Sequence, residues 1–482
     1  MRPHLPLLTL SLLLAGCTMG PNYAGPPPAL PGARDPATFA RADGEAVTPA
    51  APVSRWWEGL NDAQLNALVE KALAANPDAQ AAAARLQQAR AALRLEQANG
   101  APQVNASALY AHARLPGVDF SSSDDGGQGE GSGGGGGSSN LNLYNVGFDA
   151  SWEIDLFGGR RRSVEAARAE AEASEANLAD VQVSLTAEVT QAYVNLRDRQ
   201  QRIALARQSL GLAEEVVALT RQRHDRGTAS ELDVAQMEQQ REQARNDLAT
   251  LEAQRDSYLD ELATLVGEAP GTLDGQLAGD APVPLPPAAV AIGDPAALIR
   301  RRPDIRAAER ALAASTARIG VAEAAQFPQI SFMGLIGLGG TSISDLTKLD
   351  DVAAIAAPQL RWSFLDFGRN KARIGQARAT RDEAEAQYRA AVLAALRDAE
   401  GALSRFTHGR TSVAAIARAQ ALADRTADLS GDRYDAGTIT RVELLDTQRR
   451  ELSARQNLSL ATASLTGDFI SIQKALGLGW AE

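Results

Sequence analysis

Residues that commonly perform catalysis or bind metals are few in this chain and stand apart from one another. Of the four histidines, His4 lies in the apolar N-terminal segment, and His112, His224 and His408 are isolated. None of them has a cysteine partner or a second ligand at the spacing of a zinc site. The sequence therefore predicts that the protein is not an enzyme and holds no metal or other cofactor.

Cys17, the only cysteine in the chain, stands where a lipid could be attached. Arg2 supplies a positive charge, and an apolar stretch too short to span a bilayer then leads to Leu-Ala-Gly at 14–16. This pattern is typical of a bacterial lipoprotein, which is cut before its cysteine, and it favours lipidation over a small buried thiol. We expect a signal peptide at 1–16 and a covalent lipid on Cys17, and Thr18, in place of aspartate, indicates the outer membrane.

The charge balance excludes one large class of partner. The 482 residues include 48 Lys and Arg against 59 Asp and Glu, which gives a formal net charge of −11. A surface that binds nucleic acid needs clustered basic residues, so we expect no nucleic-acid partner. After the N-terminal segment, no apolar run approaches the ~18 residues of a membrane-spanning helix.

Two short motifs place acidic residues beside glycine turns. The segments 225–230 and 435–440 each interrupt a helical pattern, and their glycines permit the positive φ of a helix C-terminus. Two acids follow in the spacing of a capping box, as Ser230-x-x-Asp233 and Thr440-x-x-Glu443. The residues alone leave a capping role and a separate functional role open for Asp233 and Glu443. Asp446, one turn further on, has no capping role, which leaves a functional role and an ordinary solvated position on the helix face open.

The segments that would position these motifs occur twice. Residues 76–103 align with 302–329 at a constant offset of 226, and 223–230 align with 433–440 at an offset of 210. The difference of 226 − 210 = 16 residues predicts an insertion in the first copy, where residues 121–139 form a Gly/Ser-rich run. The expected organisation is an N-terminal segment at 17–58, repeats at 59–268 and 294–478, a Pro-rich linker at 269–293 between them and a tail at 479–482.

Each repeat is predicted to carry a β-hairpin followed by a long helix. Apolar residues alternate within 103–152 and 329–364, and we interpret Pro358 as a bulge or a strand end. The hairpins end near Trp152 and Trp362, which occupy matching positions in the two copies. After the first hairpin, roughly 65 residues run without proline, which is about 100 Å of helix. A coiled-coil seam recurs every seventh residue at Val189, Leu196, Ile203, Leu210 and Val217.

The predicted strands, of about 9–11 residues each, have the length that crosses an outer membrane. Four strands leave two open edges, which lipid does not tolerate, so several chains must share one closed barrel. Two chains would give eight strands with a filled interior, and three would give twelve strands with a lumen. A soluble meander resting on a coiled coil is the alternative.

Several blocks of the sequence resemble one known family over nearly the whole chain. They are "CTMGPNYAGP", "LIRRRPDIRAAERALAASTARIGVAEAAQFPQIS", "WSFLDFGR", "RYDAGTITRVELLDTQRRELS" and "KALGLGW". They resemble the TolC-like outer-membrane factors, specifically the lipoprotein efflux branch, or NodT-type outer-membrane efflux lipoproteins. The resemblance implies a mainly α fold with β-hairpins, in which an internally duplicated protomer forms a homotrimeric, twelve-stranded outer-membrane β-barrel continued by a periplasmic α-helical barrel. Its implied partners are outer-membrane lipid, a periplasmic adaptor and an inner-membrane pump of the RND type.

The same resemblance implies roles for residues near the two glycine turns. Gly227-Thr228 and Gly437-Thr438 would form the periplasmic tips that contact the adaptor. Glu443 and Asp446 would ring the pore at its narrowest point.

Residues at the positions of Asp233 and Tyr434 would join the links that hold the inner helices shut. Family members often carry an arginine two residues after Gly437, where this chain has Ile439. That link is therefore expected to be absent or to be made by Arg433 or Arg441.

The predicted function is an outer-membrane exit duct for drugs or other solutes. An exit duct for type I protein secretion differs from it only in its partner, and a lipid-anchored periplasmic coiled-coil scaffold would have no pore. The sequence does not specify the exported substrate.

Overall fold

The computed structural model of the protein describes residues 18–28, 38–42, 47–116, 138–279, 281–347 and 352–480. The predicted signal peptide, Cys17 and residues 121–137 of the Gly/Ser-rich run lie outside these ranges. The described chain divides into two compact units. The first comprises the described parts of 1–25, 89–171 and 312–383, and the second those of 26–88, 172–311 and 384–482.

The first unit is built around a four-stranded antiparallel sheet with its strands in chain order. The strands are β1 (Gln103–Pro116), β2 (Ser138–Ile154), β3 (Gln329–Gly340) and β4 (Val352–Arg361). The register pairs Gln103 with Ser151 and Gln329 with Arg361. The two predicted hairpins therefore form and join each other through β2 and β3, and β1 and β4 are left as the edges of the sheet.

One face of this sheet is apolar and open. The large exposed side chains that the register brings to this face include Tyr110, Phe148, Trp152, Phe332 and Ile336. On β1 and β2 the opposite face is more polar, and the Nδ2 of Asn105 donates to Oδ2 of Asp149 across the strands at 3.1 Å. The alternation read from the sequence thus distinguishes the two faces on β1 and β2, whereas on β3 and β4 the opposite face also carries exposed apolar side chains such as Met333 and Ile355.

The strands differ in detail from the sequence-based expectation. They contain 14, 17, 12 and 10 residues, so three of them exceed the predicted 9–11. Pro358 lies inside β4, directly opposite Phe332 in a continuous register, and the interpretation of a bulge or strand end was wrong. Strand β4 ends at Arg361, three residues before the predicted end of the hairpin.

The two repeated tryptophans make the same hydrogen bond in both copies. The indole Nε1 of Trp152 donates to the carbonyl of Gly100 at 3.1 Å, and that of Trp362 donates to the carbonyl of Gln326 at 3.0 Å. Gly100 and Gln326 are themselves related by the offset of 226. The repeated tryptophan therefore ties the end of each hairpin to the loop that precedes its first strand.

The helices follow the internal duplication closely. They are α1 (Ala63–Ala75), α2 (Pro77–Ala98), α3 (Gly159–Asp225), α4 (Glu231–Leu265), α5 (Pro295–Arg301), α6 (Pro303–Ala324), α7 (Arg369–Asp435) and α8 (Arg441–Ala475). Helices α3 and α7 both have 67 residues, and α4 and α8 both have 35. A short parallel strand pair, Val47–Thr48 with Val290–Ala291, and a 3-10 helix at Trp56–Leu60 also belong to the second unit.

Apolar burial explains the long helices. On α3, Val189, Leu196, Ile203 and Val217 are buried and Leu210 is half-buried, which confirms the predicted seam. The main core of the second unit is built from residues of both repeats, including Leu196, Tyr193 and Phe406. Among the described helices, none combines the length and the apolar character that crossing a membrane requires.

Candidate functional site

The two helix–turn–helix tips share one backbone geometry. Gly227 and Gly437 have φ angles of +73° and +69°. The next amide donates to the carbonyl five residues earlier, at 2.8 Å for Thr228 and 2.9 Å for Thr438. Each threonine hydroxyl donates to the same carbonyl at 2.9 Å. This is a Schellman helix end, in which glycine avoids the strain that a Cβ would meet at positive φ.

Asp233 and Glu443 cap the helices that leave these tips, which is one of the two roles that their spacing left open. The amide of Ser230 donates to Oδ2 of Asp233 at 2.8 Å, and the amide of Thr440 donates to Oε2 of Glu443 at 2.7 Å. The hydroxyls of Ser230 and Thr440 bond to the same carboxylates. These hydrogen bonds, chiefly those from the backbone, stabilise the ionised forms and hold the pKa of both carboxyls below its usual value.

Asp446 has a local partner that sequence reasoning missed. Its Oδ2 lies 2.8 Å from Nη2 of Arg450, one turn along α8, and its side chain is 50% exposed. The spacing i, i+4 is the signal that could have identified this pair. In a single chain, Asp446 is therefore an ion-paired and partly solvated residue one turn beyond the cap.

Arg441 links three of the long helices near the tips. At the first residue of α8, its Nε and Nη2 donate to the two carboxylate oxygens of Glu215 on α3, at 2.8 and 3.1 Å. Its guanidinium also lies 5.7 Å from the ring centroid of Tyr434 on α7. The hydrogen bond to Glu215 raises the pKa of Arg441 above its already high ordinary value, so the residue is always charged.

The structure brings only part of the expected gate together. Of the two arginines considered for the link, Arg441 makes the cross-helix contacts, whereas Arg433 forms no ion pair within the described chain. Within the described chain, the side chain of Asp233 is hydrogen-bonded to Ser230 and not to Tyr434. Glu215, which lies 226 residues before Arg441, carried no signal in the sequence that marked it as the partner.

Residues 18–22, the first described part of the N-terminal segment, are held in place by residues of the first unit. Arg162, whose side chain is only 4% exposed, donates to the carbonyls of Met19 and Gly20 and to Oδ1 of Asn22 at 2.6–3.1 Å. The amide of Met19 donates to the carbonyl of Phe157 at 3.1 Å. A Cβ at Gly158 would lie only 2.8 Å from Cα of Thr18, so glycine is what allows this segment to approach. Thr18, the neighbour of Cys17, is thus fixed just after the end of β2.

Metal binding finds no support in the parts of the chain that the structure describes. They contain no group of three or more His, Cys, Asp or Glu side chains arranged to hold a metal ion.

Comparison with known proteins assigns the chain to a family. A family model described as outer membrane efflux protein matches residues 68–268 and 295–478, which is most of the chain and follows its two repeats. Outer membrane protein OprJ of Pseudomonas aeruginosa is 30% identical over 481 residues, which are 98% of this chain and 95% of that protein. Nodulation protein T of Rhizobium leguminosarum bv. trifolii is 29% identical over 475 residues, which are 98% of this chain and 96% of that protein.

A solved structure agrees with these sequence matches. The outer-membrane channel OprN matches with a TM-score of 0.84 and 34% identity, over 96% of this chain and all of that one. The predicted fold class, long helices combined with β-hairpins in a duplicated chain, is confirmed.

Proposed function

The chain belongs to the outer membrane efflux protein family, and from that premise we propose that it is the exit duct of a tripartite efflux system. A periplasmic adaptor and an inner-membrane pump of the RND type would deliver drugs or other small solutes to it. The family and the fold are those of outer-membrane channels, and the proposal gives the chain no catalytic step.

The observation that carries this proposal is the four-stranded sheet. Its apolar face is exposed, and β1 and β4 each leave an edge unpaired within one chain. An exposed apolar face suits contact with lipid, but unpaired edges are not tolerated there. Three copies supply twelve strands and close a barrel that is wide enough for a water-filled lumen. The proposed assembly is therefore a homotrimer.

We also propose that Cys17 carries a covalent lipid. Support comes from the small residues that precede it and from the seat of Thr18 against Gly158, immediately after β2. An acyl group on the neighbouring residue would then start close to the end of a proposed membrane strand. Two or more acyl chains hold a protein to a membrane stably.

The proposed periplasmic gate combines an acidic ring with a latch. Three copies would contribute six carboxylates from Glu443 and Asp446, which attract cations. The latch is the contact of Arg441 with Glu215 and Tyr434, which holds the start of α8 against α3 and α7. Asp233 acts at the first tip by capping α4.

The proposed adaptor-docking surface consists of the two tips. Gly227-Thr228 and Gly437-Thr438 present nearly identical turns, and the glycines meet nothing within 4 Å of an added Cβ. Because both tips are exposed and alike, a trimer offers six similar sites to adaptor subunits.

The experiment that tests the proposed function combines mass and conductance. Detergent-extracted protein should have the mass of a trimer and should conduct ions in a planar bilayer. A stable monomer, or a trimer without conductance, would favour the scaffold. Copurification from cells with an RND-type adaptor, rather than with components of a protein-secretion system, separates the two kinds of duct.

A further inference from the structure

The duplication gives every residue of the long helices a counterpart. Helix α3 maps onto α7, and α4 maps onto α8, at a constant offset of 210 and without a gap. A contact between α3 and α8 within one chain therefore has an expected counterpart between α7 and α4. The residues at those counterpart positions follow from the sequence, by adding or subtracting 210.

Within one chain, α3 packs against α8. Arg441 of α8 forms a two-point ion pair with Glu215 of α3, and further along Oγ of Ser459 donates to Oδ1 of Asp198 at 2.7 Å. Apolar side chains beside the ion pair are half-buried, namely Leu212 and Leu219 on α3 and Val442 on α8.

The counterpart surface on α7 and α4 is exposed. The residues at the matching positions are all leucines, with Leu422 and Leu429 on α7 being 65% and 53% exposed and Leu232 on α4 being 66% exposed. Among the described residues of the same chain, no ion pair or side-chain hydrogen bond joins α7 to α4. Apolar residues that are half-buried where α3 meets α8 thus have exposed counterparts on α7 and α4.

The charged residues on this exposed surface have the opposite signs to their counterparts on α3 and α8, so α7 and α4 carry charges that complement each other. The counterpart of Glu215 is Arg425 on α7, and the counterpart of Arg441 is Glu231 on α4. Both are exposed, and neither has an ion-pair partner within the described chain. The reversed signs match these surfaces of α7 and α4 with each other, whereas Arg425 against Arg441, or Glu215 against Glu231, would place like charges together. Within one chain, α3 and α4 are joined through other positions, such as Arg221 with Glu238.

We infer that α7 of one copy packs against α4 of a second copy of this chain, with Arg425 of the first paired to Glu231 of the second. The leucines on both helices are covered in the same interface. This inference rests on the homotrimer of the proposed function and adds to it the surface by which its subunits recognise each other. The charge reversal specifies the partners of this contact, because placing Arg425 against Arg441, or Glu231 against Glu215, would bring like charges together.

The test uses two differently tagged chains that are produced together, one with Glu231→Cys and the other with Arg425→Cys. Two residues whose long side chains form an ion pair have Cα atoms that are too far apart for a direct disulfide between cysteines at the same positions. A short bis-maleimide reagent is therefore used to link them. We expect a covalent product that contains both tags. The matched control carries Glu215→Cys on one chain and Arg441→Cys on the other, and it should give no product with both tags, because that pair lies within one chain.

The outcomes separate this interface from the trimer itself. A trimeric mass without a two-tag product from the Glu231→Cys and Arg425→Cys chains would overturn the interface and leave the proposed function standing. A monomeric mass of the unmodified protein would overturn both. In a second measurement, Glu231→Arg should lower the temperature at which the trimer dissociates in detergent, and adding Arg425→Glu should restore it. A double variant that is no better than Glu231→Arg would contradict the pairing.

Discussion

At the scale of single residues, Arg441 matters because it contacts two other helices at once. Its guanidinium engages both carboxylate oxygens of Glu215 and lies over the ring of Tyr434. Arginine suits this place, since its planar fork binds a carboxylate at two points and also stacks on an aromatic ring. Lysine could not make both contacts with the same geometry.

We predict that Arg441→Ala raises the leak conductance of the closed channel in planar bilayers, because it removes the latch between α8 and its neighbours. Glu215→Gln should act in the same direction, and the double variant should be no leakier than Arg441→Ala, since the two residues form one interaction. The free energy of unfolding should change by about 1 kcal/mol or less, as is usual for an exposed ion pair. Arg433→Ala is the matched control, and a larger effect from it than from Arg441→Ala would refute the latch.

A second prediction concerns Asp446. Replacing it with alanine should weaken cation selectivity and divalent block and raise leak conductance, because three carboxylates leave the proposed constriction. The free energy of unfolding should change by no more than ~0.5 kcal/mol. Arg450→Ala should instead preserve or increase cation selectivity, since it removes the positive partner of Asp446. If both variants conduct like the parent, Asp446 is only a solvated helix residue.

At the scale of elements, the first turns of α4 and α8 should lose stability in acid, because each is capped by a carboxylate. The folded-state pKa values of Asp233 and Glu443 lie below the ordinary ones. The caps therefore contribute fully above the ordinary carboxyl pKa, near 4, and are lost as the pH falls through the lower folded-state values.

Amide hydrogen exchange checks this expectation. Exchange in the first turns of α4 and α8, corrected for its intrinsic pH dependence, should accelerate as the pH is lowered from 5 to about 3. Asp233→Asn and Glu443→Gln should remove most of this acceleration at their own helix, whereas Asp446→Asn should leave it in place. First turns that exchange equally fast across this range would show that the caps do not hold the tips.

Elements were predictable from the sequence where a local pattern determines them. The long helix α3 and its buried seam follow from a seven-residue repeat, and both capping boxes follow from a spacing of three. The end of β4 was not predictable, because the apolar alternation continues through Trp362 and Phe364 while the Trp362 indole is held by the carbonyl of Gln326. Pro358 was misread because local rules do not say whether a strand's register continues through a proline.

The candidate site was less accessible to sequence reasoning than the fold. The choice between Arg433 and Arg441 depended on Glu215, a partner brought close only by the packing of α3 against α8. The seat of the N-terminal segment likewise depended on Arg162, which is over 140 residues from the carbonyls it binds. Contacts of this kind arise from tertiary packing and leave no periodic mark in either partner.

At the scale of the whole molecule, two features could hold the chain in the outer membrane. The proposed barrel buries the exposed face of the sheet in lipid, and the proposed acyl group adds an anchor at Cys17. A closed barrel satisfies all of its backbone hydrogen bonds within the membrane and does not depend on the anchor. Arg162 and Gly158 hold the N-terminal segment against the first unit in either case.

The final prediction follows from this comparison. A Cys17→Ser variant, delivered by an ordinary cleavable signal peptide, should remain in the outer-membrane fraction after an alkaline wash and should keep the parent's trimeric mass and conductance. The reason is that barrel burial, and not the acyl group, holds the protein in place. Adding Arg162→Ala serves as the comparison, because it should loosen residues 18–25 toward proteases without releasing the protein. Recovery of Cys17→Ser as a soluble periplasmic protein would instead show that the lipid is the only anchor, as expected for a scaffold without a pore.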